Sequence, residues 1–342
     1  MARTKLGYIG GGEQDLLLGV DAGNTKTLAL VSRLDGTIVG SGRSGCGDIY
    51  GAASEEEAVA AIEDAACTAL GAARARSSDL RAACFSLAGA DWPEDIEFLT
   101  KAMRSRGLGR EATIVNDALG ALRAGSEDGT GVAVNCGTGL AVGARNSTGA
   151  AWHGSFWLEP NGARDMAEAA LAAIVRSDLG LEQGTSMTQR ALDHFGAGDV
   201  ETLLHALTMR KKENRPRIDG FALILLDEAD AGDTVAADIV RRIGGEIAKY
   251  VLVAAEKVQL SGCWPLVLTG GVFRHHSEHL ADALADATRA RHPHVRVLRA
   301  RFEPAVGALL LAFDAAGVPT AESVLENIAC TLPPADFFAT LG

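Results

Sequence analysis

The chain has 342 residues, of which 47% are hydrophobic and 22% are charged, proportions of an ordinary globular protein that exclude a disordered one. Its formal net charge of -12 argues against a nucleic-acid or anionic-membrane surface, because either would require a basic face. The longest apolar stretches, such as 305–313, are too short to span a bilayer.

At roughly 100 to 200 residues per domain, the length predicts two domains with a cleft. Residues 1–14 lack the apolar core of a signal peptide, and we expect them to form a loose tail. The six cysteines are far apart, with no CxxC pair. We therefore expect reduced thiols in a cytoplasmic protein, with no zinc site or iron–sulfur cluster.

The first half of the chain predicts the order βββαβαβα. A helix over 55–73 is indicated by Ser54 as N-cap with Glu57 three residues later, which is a capping-box pattern. A further helix follows Pro93, and another covers 118–124. The strands are predicted at 16–21, 27–34, 37–41, 82–87 and 112–116.

After a turn at 126–131 the pattern starts again, which predicts a second copy of the same architecture. A loop is expected over 151–162, and helices from 164 to 259, interrupted by an exposed polar turn at 210–217. A helix over 304–314 ends the pattern. The second set of strands is predicted at 132–136, 140–145, 265–269 and 295–298.

These patterns divide the chain into an N-terminal domain over 15–125 and a C-terminal domain over 126–320. A last segment covers 321–342. One option for this segment is to pack back onto the first domain.

The first motif that carries chemistry is GVDAGNTKT, at 19–27. A glycine-rich hairpin lets backbone N–H groups approach phosphate oxygens, and nearby hydroxyl and ammonium groups add donors. Asp21, at the end of a buried strand, is suited to hold Mg²⁺ through its waters. A plain hairpin turn would also explain the motif. The candidate phosphate ligands are Gly23, Asn24, Thr25, Lys26 and Thr27.

The second motif, NCGTGL at 135–140, also lies between two strands, at the matching place of the second copy. Gly137, Thr138 and Gly139 are its candidate phosphate ligands. A turn without a ligand is the alternative. Two such hairpins at matching positions favour the binding of a polyphosphate from both sides.

The third motif, TIVNDALGAL, places Asp117 at the end of a β-branched strand and the start of a helix. A carboxylate there can act as a general base toward an acceptor hydroxyl, or it can cap the helix. Its position at the carboxyl end of a strand, where α/β ligand crevices form, favours the catalytic interpretation.

The fourth motif is PLVLTGGVFRHHS, at 265–277. Thr269, Gly270 and Gly271 follow a buried strand and would let a base or ribose lie against bare backbone. A strand-to-helix turn without a ligand is the alternative. His275 and His276 are interpreted as surface residues, since the sequence shows no third metal ligand.

Together these motifs resemble the actin-like ATPase superfamily, and within it the N-acetylglucosamine kinase and BadF/BadG/BcrA/BcrD ATPase group, over about residues 15–315. The resemblance implies an α/β fold of two ribonuclease-H-like domains with mixed sheets and an interdomain cleft that closes over ATP and a sugar. It implies Asp117 as base and Asp21 near Mg²⁺. Phosphates would meet Thr25, Thr138 and Gly139, and adenosine would meet Gly270 and Gly271.

On the acceptor side, SLAGAD at 86–91 resembles the family's acceptor loop and supplies Gly89 and Asp91. The loop after the third strand usually carries an Asn for the sugar, whereas here it is SGCGDIYG, with Asp48 in that region. The family's Trp–Gly segment is altered to GSFWLEPNGARD, at 154–165. Asn116 and Trp157 complete the candidate acceptor residues.

The resemblance implies a kinase for a hexose-like acceptor, N-acetylglucosamine or glucosamine first. One alternative is an ATPase that drives a partner protein, as in activators of 2-hydroxyacyl-CoA dehydratases, although no cysteine here is placed to hold their iron–sulfur cluster. Another is a non-catalytic sugar sensor, although the sequence shows no helix-turn-helix segment. Neither a nucleic acid nor a membrane is expected as partner, and a homodimer stays open.

Overall fold

The computed structural model describes residues 15–108, 112–154, 156, 158–160 and 162–339. The tail expected over 1–14 lies outside these residues. Contacts divide the chain into two units. The first takes in the described residues up to Gly120 together with those from Ala305 onward, and the second is Ala121–Pro304.

Ten described strands form two five-stranded sheets, one after the other along the chain. The strands are β1 (Leu16–Ala22), β2 (Thr27–Arg33), β3 (Ile38–Ser44), β4 (Leu80–Leu87), β5 (Ala112–Asn116), β6 (Gly131–Cys136), β7 (Leu140–Arg145), β8 (Ala151–Gly154), β9 (Pro265–Thr269) and β10 (Arg296–Arg299).

Twelve described α-helices accompany the sheets. They are α1 (Glu55–Ala72), α2 (Pro93–Ser105), α3 (Asp117–Arg123), α4 (Ala163–Asp178), α5 (Met187–Phe195), α6 (Val200–Leu207), α7 (Phe221–Asp230), α8 (Thr234–Lys257), α9 (His279–Arg289), α10 (Pro304–Ala315), α11 (Glu322–Cys330) and α12 (Ala335–Phe338). As predicted, α1 begins after Ser54, whose hydroxyl accepts the Glu57 N–H at 3.2 Å.

The two sheets have the same topology. The first runs β3-β2-β1-β4-β5 and the second, reversed, runs β8-β7-β6-β9-β10. In each sheet, the first three strands in sequence are antiparallel neighbours. The fourth strand pairs in parallel with the first, and the fifth pairs in parallel with the fourth. The predicted mixed α/β fold and its second copy are therefore confirmed.

The helix α10 belongs to the first unit, because it lies against β1. A Cβ at Gly19 would stand 2.2 Å from the backbone nitrogen of Leu309 and 2.4 Å from its Cα. Only glycine permits this approach. The sequence predicts that the second domain ends at 320, whereas in the structure the residues from Ala305 onward belong to the first unit.

Two further details differ from the predictions. The segment 151–154, expected in a loop, forms the edge strand β8, paired with β7 between Arg145 and Ala151. The helix that follows the glycine turn begins only at His279. The strand β8 forms by pairing with its neighbour β7, which its own short sequence does not indicate.

Candidate functional site

The carboxyl edge of the first sheet brings several predicted site residues together. Because β1, β4 and β5 are parallel, their carboxyl ends lie at the same edge. Asp21 lies at the end of β1, the acceptor loop follows β4, and Asp117 follows β5. The Ala88 N–H donates to the Ala22 carbonyl at 2.9 Å, which joins the first two of these segments.

The turn of the first phosphate hairpin is closed by the Gly23 N–H, which donates to the Lys26 carbonyl at 2.9 Å. Asn24 and Thr25 are exposed at its tip. Thr27 departs from the expectation of a phosphate donor: its side chain is fully buried and its hydroxyl donates to the Gly45 carbonyl at 2.9 Å. It therefore fixes the next loop.

Lys26 contacts the C-terminal segment of its own unit. Its ammonium donates to the Phe338 carbonyl, and nearby the Arg43 guanidinium donates to the Phe337 carbonyl at 2.6 Å. The hairpin is thus anchored to α12, a role for Lys26 that the sequence analysis did not include.

The loop after β3 lies on the phosphate hairpin. The Gly47 N–H donates to the Gly23 carbonyl at 3.1 Å. On its other side, this loop contacts the acceptor loop: a Cβ at Gly89 would stand 2.9 Å from Oδ1 of Asp48. The structure therefore brings Asp48 and Gly89 together beside the hairpin, as expected for one binding region.

Asn116 joins the acceptor loop to the start of α3. Its Nδ2 donates to Oδ1 of Asp91 at 3.0 Å, and its Oδ1 accepts the Ala118 N–H at 3.0 Å. Only 2% of Asn116 is exposed. Asn116, predicted as an acceptor contact, thus has both its amide groups in bonds that join Asp91 to the start of α3.

Asp117 is a partly buried carboxylate at the first position of α3. Burial raises its pKa, the nearby Ala118 N–H opposes this, and the negative charge of Asp48 adds to it, so that the pKa of Asp117 is raised to about 6. A carboxyl group with a pKa near the working pH accepts a proton more readily than an ordinary one, as a general base requires.

Two side chains that hold the loops of this region, Asp95 and Tyr50, were not predicted from the sequence. Asp95 is 7% exposed and its Oδ2 accepts the N–H groups of Asp91 at 3.3 Å and Trp92 at 2.9 Å. The Tyr50 hydroxyl donates to the same carboxylate at 3.0 Å. Desolvation and then this carboxylate raise the pKa of Tyr50 to about 12.

Asp95 thus ties the loop after β3 to the acceptor loop. A signal for it was present in the sequence, since an acidic residue at the third position of a helix that begins with proline commonly accepts the N–H groups before that helix.

In the second unit, the second hairpin and the glycine turn after β9 are neighbours. The Val272 N–H donates to the Cys136 carbonyl at 3.1 Å. Gly270 has φ +95°, and a Cβ there would stand 2.3 Å from the same carbonyl. Thr138 and Gly139 are exposed, whereas Thr269 is buried. The two motifs predicted to bind phosphate and adenosine therefore form one local surface.

The N-terminus of α4 adjoins this hairpin. The Ala163 N–H donates to the Gly137 carbonyl at 2.9 Å, and the α4 N-cap, Gly162, is held close to Gly139. The first turn of a helix carries partial positive charge, which favours an anion beside the hairpin. Trp157 lies outside the described residues.

His275 is more buried than the sequence analysis expected. Its side chain is 11% exposed and its Nε2 lies 3.1 Å from Oδ1 of Asp227. Asp227, His275 and His276 have potential ligand atoms within 4.8 Å of one another. The Ser277 N–H donates to Nδ1 of His275, which places the proton of the neutral ring on Nε2. The group therefore forms a histidine–carboxylate hydrogen bond.

All six cysteines are free thiols. Burial raises the pKa of Cys136, at the end of β6, to about 12, so that this thiol stays protonated. Over the described residues, every helix is too short or too polar to cross a membrane.

A family model described as the BadF/BadG/BcrA/BcrD ATPase family matches residues 18–312. The chain belongs to this family. The match includes all of the site segments described above in both units, and it confirms the resemblance inferred from the motifs.

Among curated proteins, the chain is 23% identical over 300 residues to an N-acetylmuramic acid/N-acetylglucosamine kinase of Clostridium acetobutylicum, covering 86% of this chain and 97% of that protein. It is 23% identical over 317 residues to an N-acetyl-D-glucosamine kinase of Dictyostelium discoideum, covering 88% and 98%.

Among solved structures, a protein from Chromobacterium violaceum described by its name as an N-acetylglucosamine kinase superposes with a TM-score of 0.63. The two are 20% identical, and the match covers 88% of this chain and 100% of that one. At this identity, the likeness establishes the fold.

Proposed function

We propose that the protein phosphorylates a sugar hydroxyl with ATP, with N-acetylglucosamine or glucosamine as the first acceptors to test. Both curated relatives are named as sugar kinases, and the match to this chain covers 97% and 98% of their lengths. The observation that carries the proposal is Asp117, whose carboxylate has a pKa raised to about 6 and lies at the sheet edge that also holds the phosphate hairpin and the acceptor loop.

In this proposal Asp117 is the general base. The acceptor hydroxyl gives its proton to the Asp117 carboxylate while its oxygen attacks the γ-phosphorus, and ADP leaves. The products are a sugar phosphate, ADP and a proton. Asn116 holds the start of α3 in place through Ala118, so the carboxylate of Asp117 is positioned before the acceptor binds. Positioning of the reacting groups is a main part of the catalysis of phosphoryl transfer.

Each unit carries candidate nucleotide ligands of its own. We assign Asn24 and Thr25 to the phosphates in the first unit, and Thr138 and Gly139 in the second. Gly270 and Gly271 would contact adenosine. Asp21, a half-buried carboxylate at the end of β1, offers the hard oxygen ligand that Mg²⁺ prefers. When bound, Mg²⁺ neutralises charge on the phosphates.

The test is ADP release coupled to a spectrophotometric assay, with a panel of glucosamine, N-acetylglucosamine, N-acetylmuramic acid and glucose. We expect at least one sugar to raise turnover well above the hydrolysis seen with ATP alone, with one ADP formed per sugar phosphate. Turnover that no sugar stimulates would contradict the kinase assignment and would favour an ATPase that acts on a partner protein.

A further inference from the structure

Asp48 is a largely buried residue in which one carboxylate oxygen has no hydrogen-bond donor among the described residues of its unit. Only 9% of the residue is exposed. Its Oδ1 accepts the Tyr50 N–H at 2.9 Å, and the described part of the first unit offers no hydrogen-bond donor to Oδ2. A carboxylate oxygen is an acceptor only, so Oδ2 is available to a ligand that donates a hydrogen bond.

Positive charge is also missing beside this carboxylate. The described ion pairs of the first unit join arginines to Asp79, Asp15 and Glu63, and within that described unit no lysine or arginine lies within 4 Å of Asp48 or Asp117.

The negative charge of Asp48 nevertheless acts on Asp117, where it contributes to the raised pKa. Two carboxylates in one acceptor region without a counter-charge disfavour an anionic ligand and favour a cation.

Asp48 lies in the acceptor region by several independent contacts. Its loop is bonded to the phosphate hairpin through Gly47 and Gly23. Its carboxylate lies against Gly89 of the acceptor loop. The same loop is held by Tyr50 to Asp95, which also accepts the Asp91 N–H. Asp91 in turn holds Asn116, the neighbour of Asp117.

We propose that Asp48 selects an acceptor that carries a protonated amine, so that this kinase prefers an unacetylated amino sugar to its N-acetylated form. The inference rests on the proposed function and narrows its substrate. An ammonium group brings one positive charge and three N–H donors, which match the unbonded oxygen of Asp48. An acetamide brings no charge and only one N–H donor, and its carbonyl oxygen cannot bond to carboxylate oxygens, which only accept.

The experiment compares kcat/KM for glucosamine, N-acetylglucosamine and glucose in the unmodified protein and in Asp48→Asn. Asparagine has nearly the same shape, and its side-chain oxygen can still accept the Tyr50 N–H, so the loop is preserved. Asp64→Asn is the matched control, because it removes one carboxylate from an exposed position of α1.

In the unmodified protein we expect glucosamine to exceed both other sugars by about ten-fold or more in kcat/KM, the effect of one charge-assisted hydrogen bond. Asp48→Asn should lower the ratio of glucosamine to N-acetylglucosamine by a similar factor. Asp64→Asn should leave the ratio unchanged. If Asp48→Asn is inactive toward every sugar, the same ratio is read from dissociation constants measured by calorimetry.

Three results would overturn the inference. One is equal or better use of N-acetylglucosamine or glucose by the unmodified protein. Another is an unchanged ratio in Asp48→Asn. The third is a change in the Mg²⁺ requirement of Asp48→Asn with the sugar ratio intact, which would assign the carboxylate to the metal.

Failure of the proposed function gives a different result, namely no phosphorylation of any sugar. Calorimetry still tests the inference in that case. Glucosamine that binds the unmodified protein and not Asp48→Asn would support the amine site, and glucosamine that binds both proteins equally would contradict it.

Discussion

Asp117 has surroundings that favour its proton-accepting role over a capping role. The N–H of Ala118, the second residue of α3, already has an acceptor in Asn116 Oδ1 at 3.0 Å. A carboxylate whose pKa is raised by burial also destabilises the folded state when ionised. A residue retained at such a cost is better explained by chemistry than by stability.

Asp117→Asn should therefore lower phosphoryl transfer by about two or more orders of magnitude, because the base is lost, while ATP binding stays unchanged. The same variant should be more stable at pH 7, by up to about 3 kcal/mol, the free energy that corresponds to a shift of the pKa from 3.8 to about 6. Single-turnover kinetics and urea unfolding measure the two effects. Unchanged turnover in Asp117→Asn would show that Asp117 is not the base and would favour a role in capping the helix.

The raised pKa of Asp117 also predicts a pH dependence. The base acts when deprotonated, so log kcat/KM for the sugar should rise with slope one as pH increases toward about 6 and then level off. The contribution of this group to stability has the opposite trend. It is present below pH 3.8 and is lost as pH rises to about 6, because the folded state binds the proton more tightly.

Asp48→Asn should move this acidic limb to lower pH, since it removes a negative charge that raises the pKa of Asp117. A pH–rate profile for glucose, which carries no amine of its own, isolates the effect. An acidic limb that stays at the same pH in Asp48→Asn would show that Asp117 is not the group observed.

At the scale of elements, the glycine turn after β9 offers a matched pair of substitutions. Gly270 has φ +95° and its Cβ would stand 2.3 Å from the Cys136 carbonyl, whereas a Cβ at Gly271 would meet only the end of the Arg274 side chain at 3.7 Å. Gly270→Ala must therefore displace the second hairpin or the turn, and Gly271→Ala need not.

We expect Gly270→Ala to raise KM for ATP by about ten-fold or more, with Gly271→Ala close to the unmodified protein. Fluorescent-nucleotide binding and ADP-coupled kinetics both measure the difference. If both variants have the circular dichroism spectrum of the folded protein and equal KM values for ATP, this turn is not part of the nucleotide site.

Elements with a strong local signal were predicted from the sequence, and features that depend on contacts with other elements were not. β5, β7 and β9 were predicted to the residue because apolar, β-branched runs are bounded by glycine or polar residues. β8 was missed, since AWHG has no such pattern and becomes a strand only by pairing with β7. The anchoring of Lys26 by Phe338 joins residues 312 apart in sequence, which no local pattern reports.

The candidate site follows the same division. The glycine turns and Asp117 were predicted as site residues because their proposed chemistry requires particular residues at strand ends, and the structure places them at strand ends. Thr27 and Asn116 were assigned to ligands, and the structure shows both engaged in holding loops. A sequence shows which groups a side chain carries, whereas only tertiary contacts show which of those groups remain for a ligand.

At the scale of the whole molecule, the first unit is discontinuous in sequence and the second is continuous. The first unit depends on its C-terminal part, because residues 305–313 of α10 are all buried and Ile328 and Phe338 are 0% and 7% exposed. Gly19 admits α10 against β1 at a distance that no other residue allows.

A fragment of residues 121–304 should therefore unfold cooperatively in urea when expressed alone, whereas a fragment of residues 15–120 should not, since it lacks the helix that covers β1. Co-expression of residues 15–120 with residues 305–339 should restore a cooperative transition. Circular dichroism and amide proton dispersion in NMR spectra distinguish the cases. Cooperative unfolding of 15–120 alone would show that α10 is an accessory to this sheet and that the core of the sheet is complete without the C-terminal part of the unit.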